Sequence, residues 1–512
     1  MLTLICAGGS GARILEALIH LCAAGLGPTK LRTFVIDPDA ANGNLDVTKK
    51  LVERYVRCRT IFANDQFFRT ELDLIQSENE LCTWIPVNTQ QKFESVLNYH
   101  QLTPAQQEIV RLLFTQDELD MEMNVGFRGH PSLGAAALSL LPIYQANPAD
   151  AFWKKITTLI QHDVMESEAR VVIAGSVFGG TGASAIHPLV RYLRSSMAEK
   201  ENFQKLKVAA VALVPYFKFS SSDAAAGAKA NQDEVVARSE HFALAAKSAA
   251  NYYDHLQRTK DWDFDAMYWM GDDTPVNVKY CKGGSPQQNP AHFVELLGAL
   301  ACLDFGLSPP SQKSCCYSGP LDIEGLKDLN PVTWKDLPLG EGTREDAQRQ
   351  LHAFHLAAVA HQGFFRHVFE DSRLETQSYC LPWYHDRFDG GSESLQSKES
   401  RDQLEALRIY FSQNYFPWWA QIHSLDNDRV RLFNPAVWRD GPDRLYTNRL
   451  DNLRYPDNHE HFYDCVDRLF AKTIEVAPKS SDQGSPPARY FSILTNAAVQ
   501  LVEQEDRAKP GN

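Results

Sequence analysis

Residues 178–184 read Phe178-Gly179-Gly180-Thr181-Gly182-Ala183-Ser184, directly after the apolar run Arg170 to Ser176 and ahead of a helical stretch from about Ala183 to Met197. Strand, glycine turn and helix in that order form one unit of a parallel α/β sheet. Glycine lets the backbone turn sharply and approach a ligand closely. The helix that follows aims its unpaired N–H groups and its positive dipole end at the turn, which makes an anion site. Thr181 and Ser184 add hydroxyls able to bond phosphate oxygens. The same arrangement opens the chain, with strand Leu2 to Ala7, turn Gly8-Gly9-Ser10-Gly11 and a helix from about Ala12 to Ala24. A single such turn is as readily a tight connection as a phosphate loop. Two in one sheet are harder to explain as packing, and together they can grip a di- or triphosphate.

Outward from these turns, Leu31–Ile36, Lys207–Pro215 and Asp265–Met270 read as further strands. They alternate with helical stretches at Val47–Val56, Ala151–Glu166, Glu234–Leu256 and Ala291–Asp304. Residues 60–120 are polar and mixed, with helical stretches such as Pro104–Phe114, and Pro131–Leu141 follows as a helix. The pattern predicts an α/β fold with a mostly parallel, Rossmann-like sheet over residues 1–305. Gly306–Pro320 is rich in Ser, Pro, Gly and Cys and reads as a linker. Residues 306–512 then read as a more helical α+β domain, a possible assembly or partner-binding module. Its expected helices are Ala347–Glu370, Arg401–Gln413, His459–Thr473 and Tyr490–Gln504, with a proline-containing loop at Val476–Ala488. Asp37 and Asp39 follow the second strand, where a carboxylate can accept bonds from ribose hydroxyls; Asp37-Pro38-Asp39 is equally good turn chemistry.

Composition narrows the function classes. The 512 residues carry 51 Lys and Arg against 64 Asp and Glu, a formal net charge of −13. Such a surface repels phosphate backbones, so broad nucleic-acid binding is not expected. No stretch reaches the ~20 apolar residues of a membrane span, and the N-terminus lacks the basic leader of a signal peptide. The ten cysteines form no C-x-x-C pair, which reads as reduced thiols in a cytoplasmic protein. G-x-x-x-x-G-K-[ST] and G-x-S-x-G are absent, so neither a P-loop nor a hydrolase elbow is signalled. His352, His355, His361 and His367 lie along one expected helix, and His459-Glu460-His461 is not H-E-x-x-H; both read as packing histidines rather than a metal site. Phe416-Pro417-Trp418-Trp419 reads as core or a domain seam.

These segments, in this order, resemble the tubulin and FtsZ superfamily of GTP-binding proteins, and within it the divergent bacterial tubulin-like proteins. Phe178 to Ala185 resembles the signature GGGTG[ST]G, with Phe178 in the first glycine position and Ala183-Ser184 in the last two. Ala7 to Arg13 resembles the first phosphate loop, and Asp37-Pro38-Asp39-Ala40 the segment after the second strand. Gly126-Phe127-Arg128-Gly129-His130-Pro131-Ser132-Leu133-Gly134 resembles the loop that senses the γ-phosphate, and Val214-Pro215-Tyr216-Phe217 the end of the fifth strand. The resemblance covers about residues 1–305. It implies GTP with Mg²⁺, held at the phosphates by Gly8, Gly9, Ser10, Gly11, Ala12 and Arg13 and by Gly179, Gly180, Thr181, Gly182, Ala183 and Ser184. Asp37 or Asp39 is expected near the ribose or α-phosphate. Gly126, Arg128, Gly129, His130 and Gly134 are expected to close on the γ-phosphate. Asp273 and Asn289 are the candidates for reading the base. Asp322 and Glu324 stand where the family carries its acidic catalytic loop, although the N-x-D-x-x-D motif is not intact. The function implied is a GTP-binding protein that assembles with itself, as a homo-oligomer or filament, with slow GTP hydrolysis. Two alternatives stay open: a non-hydrolysing nucleotide-sensing scaffold that binds a partner protein, and an NAD-dependent oxidoreductase that uses the first glycine turn alone.

Overall fold

The structure is a computed structural model. It describes residues 1–85, 90–123, 126–127, 129–140, 151–198, 201–220, 237–272, 275–281, 283–307, 332–334, 337, 341–365, 395, 397–424, 430, 432–433, 472 and 484–508. The strands are β1 (Leu2–Ala7), β2 (Lys30–Ile36), β3 (Glu71–Asp73), β4 (Thr83–Trp84), β5 (Ala169–Ser176), β6 (Leu206–Leu213), β7 (Phe217–Phe219), β8 (Ala266–Met270) and β9 (Val276–Val278). The helices are α1 (Gly8–Ala23), α2 (Gly43–Phe62), α3 (Phe93–Val96), α4 (Pro104–Leu113), α5 (Gln116–Leu119), α6 (Pro131–Ser139), α7 (Ala151–Glu166), α8 (Thr181–Met197), α9 (Ser239–Thr259), α10 (Phe293–Leu307), α11 (Glu341–Phe365), α12 (Lys398–Tyr410), α13 (Phe416–Ser424) and α14 (Pro486–Ala508).

Contacts divide these into two compact units. One comprises the described residues of Met1–Leu18, Pro28–Val52 and Glu71–Lys313; the other comprises those of Ile19–Gly27, Glu53–Thr70 and Ser314–Asn512. The units are therefore not two consecutive stretches meeting near residue 305.

The first unit is an α/β fold around a mostly parallel sheet. Its strands run β3-β2-β1-β5-β6-β8, with β4 also pairing β2. Residues Lys30–Arg32 of β2 pair with β3 and Val35–Ile36 with β4, so the two short strands share one edge of β2. Every pairing in the sheet is parallel. The central strands β1, β5 and β6 are near-continuous apolar runs, as strands covered on both faces require. On one face Ile5, Ala7, Phe34, Val171, Ile173 and Val208 share a core with α7, α8 and α9, where Trp153 stacks on Trp84 at 5.1 Å. On the other face α1 and α10 close in, where a Cβ on Gly298 would lie 3.1 Å from Ile14 and 3.5 Å from Val211. A small separate core of Phe93, Phe114, Leu119, Met123, Phe127 and Leu133 anchors the segment that carries Gly126 to Gly134. Its helices are capped in the sequence-local way: Thr103 with Gln106 and Thr115 with Glu118 form reciprocal capping boxes.

The second unit is built on buried rings. His20 bonds the Tyr410 hydroxyl at 3.0 Å and lies 4.7 Å from Trp418. Phe67 meets Phe354 at 5.0 Å, and Phe62 meets Phe491 at 5.4 Å. Those contacts explain why two N-terminal stretches belong to it. Trp418 and Trp419 are buried, so that aromatic cluster is core. Between α12 and α13 lies a π-helical turn, Phe411–Tyr415, just ahead of Pro417, which has no N–H to donate to a regular helix.

Several boundaries differ from the sequence reading. Helix α1 starts at Gly8 rather than Ala12, so the first glycine turn is the first turn of the helix itself. The polar stretch 60–120 contains β3 and β4, which are too short to show a period. Pro486 and Pro487 open α14 instead of ending a loop, because a proline in the first turn gives up only an N–H that had no partner. The expected helix His459–Thr473 and the rest of Val476–Ala488 lie almost wholly outside the described residues. No helix among the described residues is long and apolar enough to cross a membrane.

Burial depresses both His355 and His361 to about 3; the neighbouring His423 adds to the first effect, and Arg408 adds to the second against a bond to the Leu404 carbonyl. An imidazole that is neutral when folded and charges near pH 6.5 when unfolded stabilises the fold above pH 6.5, and that contribution is lost as the pH falls toward 3. At pH 5.5 each costs about 1.4 kcal/mol. Amide protection factors in α11, α12 and α14 are therefore expected to fall between pH 7.5 and 5.5, as read by hydrogen exchange; unchanged protection would contradict this account.

Candidate functional site

Strand β1 lies between β2 and β5, so the chain leaves β1 on one side and returns on the other. The crevice outside the carboxyl ends of such strands is where an open parallel sheet offers a ligand site. Both glycine turns sit there. Gly8 follows β1 with φ +71°, and a Cβ on it would lie 3.2 Å from the Thr181 Cβ. The two turns therefore touch.

The glycines serve different ends. A Cβ on Gly11 would meet the Ala174 carbonyl oxygen at 2.6 Å and the Cys6 carbonyl carbon at 2.8 Å. One on Gly182 would meet the Ser176 oxygen at 2.5 Å. These two exist so that α1 and α8 can sit on the sheet. Gly9 faces the crevice instead: its nearest neighbours are the side-chain nitrogens of Asn42 and Asn44, both at 3.3 Å.

The crevice is an open cleft whose empty space, solvent at its mouth included, is about 890 Å³. Its floor is Gly8, Gly9, Ser10 and Gly179 to Gly182. One wall is polar and carries Asp37, Asp39, Asn42, Asn44, Gln287 and Asn289. The opposite wall is aromatic, where Phe178, Phe217 and Phe219 surround Phe242 at 4.9, 5.8 and 5.4 Å. Gly126 and Phe127 also line the cleft, and a Cβ on Gly126 would lie 3.9 Å from both Asp37 Oδ1 and Asp39 Cβ.

The polar wall is fastened by its own hydrogen bonds. Asp37 accepts from the Asp39 amide at 3.0 Å and from Asn42 at 3.3 Å. Asp39 accepts from the Gly284 amide at 2.7 Å, and Asn44 from the Asn289 amide at 2.8 Å. Segment 283–289 is thereby held over the start of α2. Burial, opposed by the Asp39 amide, pushes the Asp37 carboxyl up to about 7. Beside the floor, Arg13 is buried and forms ion pairs with Glu16 and, at 3.4 Å, with Glu295. Burial alone would lower the guanidinium, but the two carboxylates outweigh that and hold it above its usual value. Burial pushes Glu16 up to about 7 against the pull of Arg13, and raises Glu295 as well. Arg13 is the single cationic side chain among the described residues that line the cleft.

The expected site residues sort into three groups. Gly8, Gly9, Ser10, Arg13, Asp37, Asp39, Gly126, Gly129, Gly179, Gly180, Thr181, Gly182 and Asn289 come together on the cleft. Gly11, Ala12, His130, Gly134, Ala183 and Ser184 are not in its lining. The Ala12 carbonyl accepts from Thr48 at 3.0 Å, and His130 pairs with Glu118 at 3.2 Å. The Ser184 hydroxyl is spent on the carbonyls of Gly180 and Pro131, and Gly134 lets Ser184 and Phe127 approach. Arg128, Asp273, Asp322 and Glu324 lie outside the described residues. Sequence reasoning missed Asn42, Asn44 and Gln287, and the ring pair Phe219 and Phe242. Asn42-Gly43-Asn44 at a helix start carried a signal, since asparagine favours that position; the rings carried none.

Comparison with known proteins adds nothing to this geometry: no family model, no curated protein and no solved structure matches the chain.

Two outcomes follow for glycine variants. Gly11→Ala is expected to lose roughly 1–3 kcal/mol of stability by overpacking against fixed backbone, whereas Gly9→Ala keeps its melting temperature within a few degrees and changes only ligand binding. Equal melting losses in the two would remove the distinction. For Asp37, a carboxyl raised when folded, the ionisation penalty is absent below about pH 4, grows as the pH rises, and is complete above pH 7; it amounts to roughly 4 kcal/mol at most. Asp37→Asn should therefore melt higher than the unmodified protein at pH 8 and similarly at pH 4, as read by calorimetric melting without ligand.

Proposed function

We propose that the cleft binds a nucleoside triphosphate with Mg²⁺, GTP being the nucleotide that the resemblance implies, and that binding controls self-assembly of the chain with slow hydrolysis. The observation that carries this reading is the meeting of two glycine-bearing helix starts, at Gly8 and Thr181, over one cleft. A cradle of backbone N–H groups at two helix N-termini suits phosphates, and a planar base suits a wall of rings. Asp37 and Asp39 supply oxygen of the kind Mg²⁺ takes alongside phosphates. Among the described residues no group of three or more His, Cys, Asp or Glu could hold a metal alone. When bound, Mg²⁺ neutralises the charge of the phosphates. The chain's own part is to fix the phosphates with N–H groups and the Thr181 hydroxyl, a role of positioning and charge stabilisation.

The test is calorimetric titration with GTP, ATP and NAD, Mg²⁺ present, on the unmodified chain and on Thr181→Val, which keeps the side-chain shape. GTP binding weakened about tenfold or more by the loss of one hydrogen bond to a charged group supports the reading. Gly180→Ala is a poorer probe, because its Cβ would lie 2.8 Å from Phe127 and report packing too. Absence of nucleotide binding, or NAD binding indifferent to Thr181→Val, would overturn it. Light scattering and electron microscopy with GTP then test assembly, and binding without turnover or assembly would favour the nucleotide-sensing scaffold.

A further inference from the structure

The floor of the cleft hides an ionic cluster that the glycine turns do not need. Arg13 is 3% exposed, Glu16 6% and Glu295 1%. The cluster joins three elements. Arg13 and Glu16 come from α1. Glu295 comes from α10, where its Oε2 accepts the His292 amide at 3.0 Å. Tyr216, just beyond β6, donates its hydroxyl to Glu295 Oε1 at 2.9 Å. Behind them His292 lies 3.8 Å from Asp272 at the end of β8. Arg13 uses Nη1 towards Glu16 and Nε towards Glu295. Its Nη2 and Nε are both buried without a hydrogen-bond partner, and Nη2 has no ion-pair partner either. A buried donor left unmade is costly, the more so on a charged group, and the residue that carries these donors lines the cleft.

We propose that Arg13 is a direct ligand-binding residue, its Nη2 donating to an anionic phosphate oxygen in the cleft, and that Glu16 is its positioning partner and takes up a proton when the ligand arrives. This rests on the reading of the cleft as a nucleotide site. The charge balance drives it. One guanidinium already faces two carboxylates away from water. A third anionic oxygen leaves the cluster with too little positive charge, and a proton on a carboxylate restores it. Glu16 is the member poised to accept one, since burial already holds its carboxyl near neutrality. Glu295 is less suited, because both its oxygens are engaged as acceptors. Because Nη2 is buried beside the cleft, ligand binding shifts the guanidinium or its cover to bring this donor to the phosphate.

The experiment is titration of the full chain with GTP at pH 7.5 in two buffers of different ionisation enthalpy, which counts protons exchanged on binding. Uptake of about half a proton or more is expected, with affinity rising roughly tenfold from pH 8.5 to pH 6.5. Inorganic tripolyphosphate should reproduce the uptake, and guanosine should not. In Glu16→Gln the uptake and the pH slope should vanish while GTP still binds. Arg13→Lys keeps the charge but loses the fork, and should weaken GTP about tenfold; this second variant serves if Glu16→Gln does not fold. GTP binding without proton uptake, or uptake that survives Glu16→Gln, would overturn the proposal while leaving the cleft a nucleotide site. No binding of any nucleotide would instead overturn the reading beneath it.

Discussion

The architecture of the first unit depends on side chains that are missing. At the reversal between β1 and β5, backbone meets backbone at distances that leave no room for a Cβ. Gly11 lies against Ala174 and Cys6, Gly175 against the Ala7 oxygen at a would-be 2.9 Å, and Gly182 against Ser176. Because these positions are bare, α1 and α8 settle onto the sheet with their first turns side by side. Everything chemical about the cleft follows from that placement. Two sets of unpaired N–H groups converge on one volume, and the walls are whatever the neighbouring strand ends supply: carboxamides and carboxylates after β2, rings after β5 and β6.

Desolvation shapes the charges in both units, with opposite sign. In the first it raises the carboxyls of Asp37, Glu16 and Glu295, so acids beside the cleft ionise at higher pH than they would in water. In the second it lowers His355 and His361, so rings among aromatics stay neutral. The first arrangement keeps the cleft from carrying its full negative charge before a ligand comes. The second simply lets imidazoles behave as apolar packing, with Phe433 stacked on His355 at 4.3 Å.

Much of the sheet was legible because buried parallel strands are apolar runs that need no partner to be recognised. β1, β2, β5, β6 and β8 fall within a residue or two of their expected limits. The glycine turns were legible for the same local reason, and so was their sharing of one sheet. What could not be read was anything fixed by distant contacts. Strands β3 and β4 exist only as edge partners of β2. Gly11 and Gly9 are indistinguishable in sequence, and only the position of Ala174 and Asn42 separates a packing glycine from one that faces the cleft. Ser184 looked like a phosphate hydroxyl until α6 placed the Pro131 carbonyl beside it. Arg13 reads in sequence only as the last residue of a phosphate loop, and the two glutamates that enclose it lie 3 and 282 residues away. The membership of Ile19–Gly27 and Glu53–Thr70 in the second unit has no local signature, since rings at Phe62, Phe67 and Phe68 are apolar in any context.

The tight seam has a consequence for descent. Gly11, Gly175 and Gly182 are demanded by helix-on-sheet packing whether or not anything occupies the cleft. A lineage that gave up its ligand would keep all three under selection for folding alone. The residues freer to drift would be Asn42, Asn44, Thr181 and Asp37, which the helix-on-sheet packing does not require, although all but Thr181 also fasten neighbouring backbone. Inheritance of the glycines therefore records ancestry of the fold, and the history of the ligand is written in the walls.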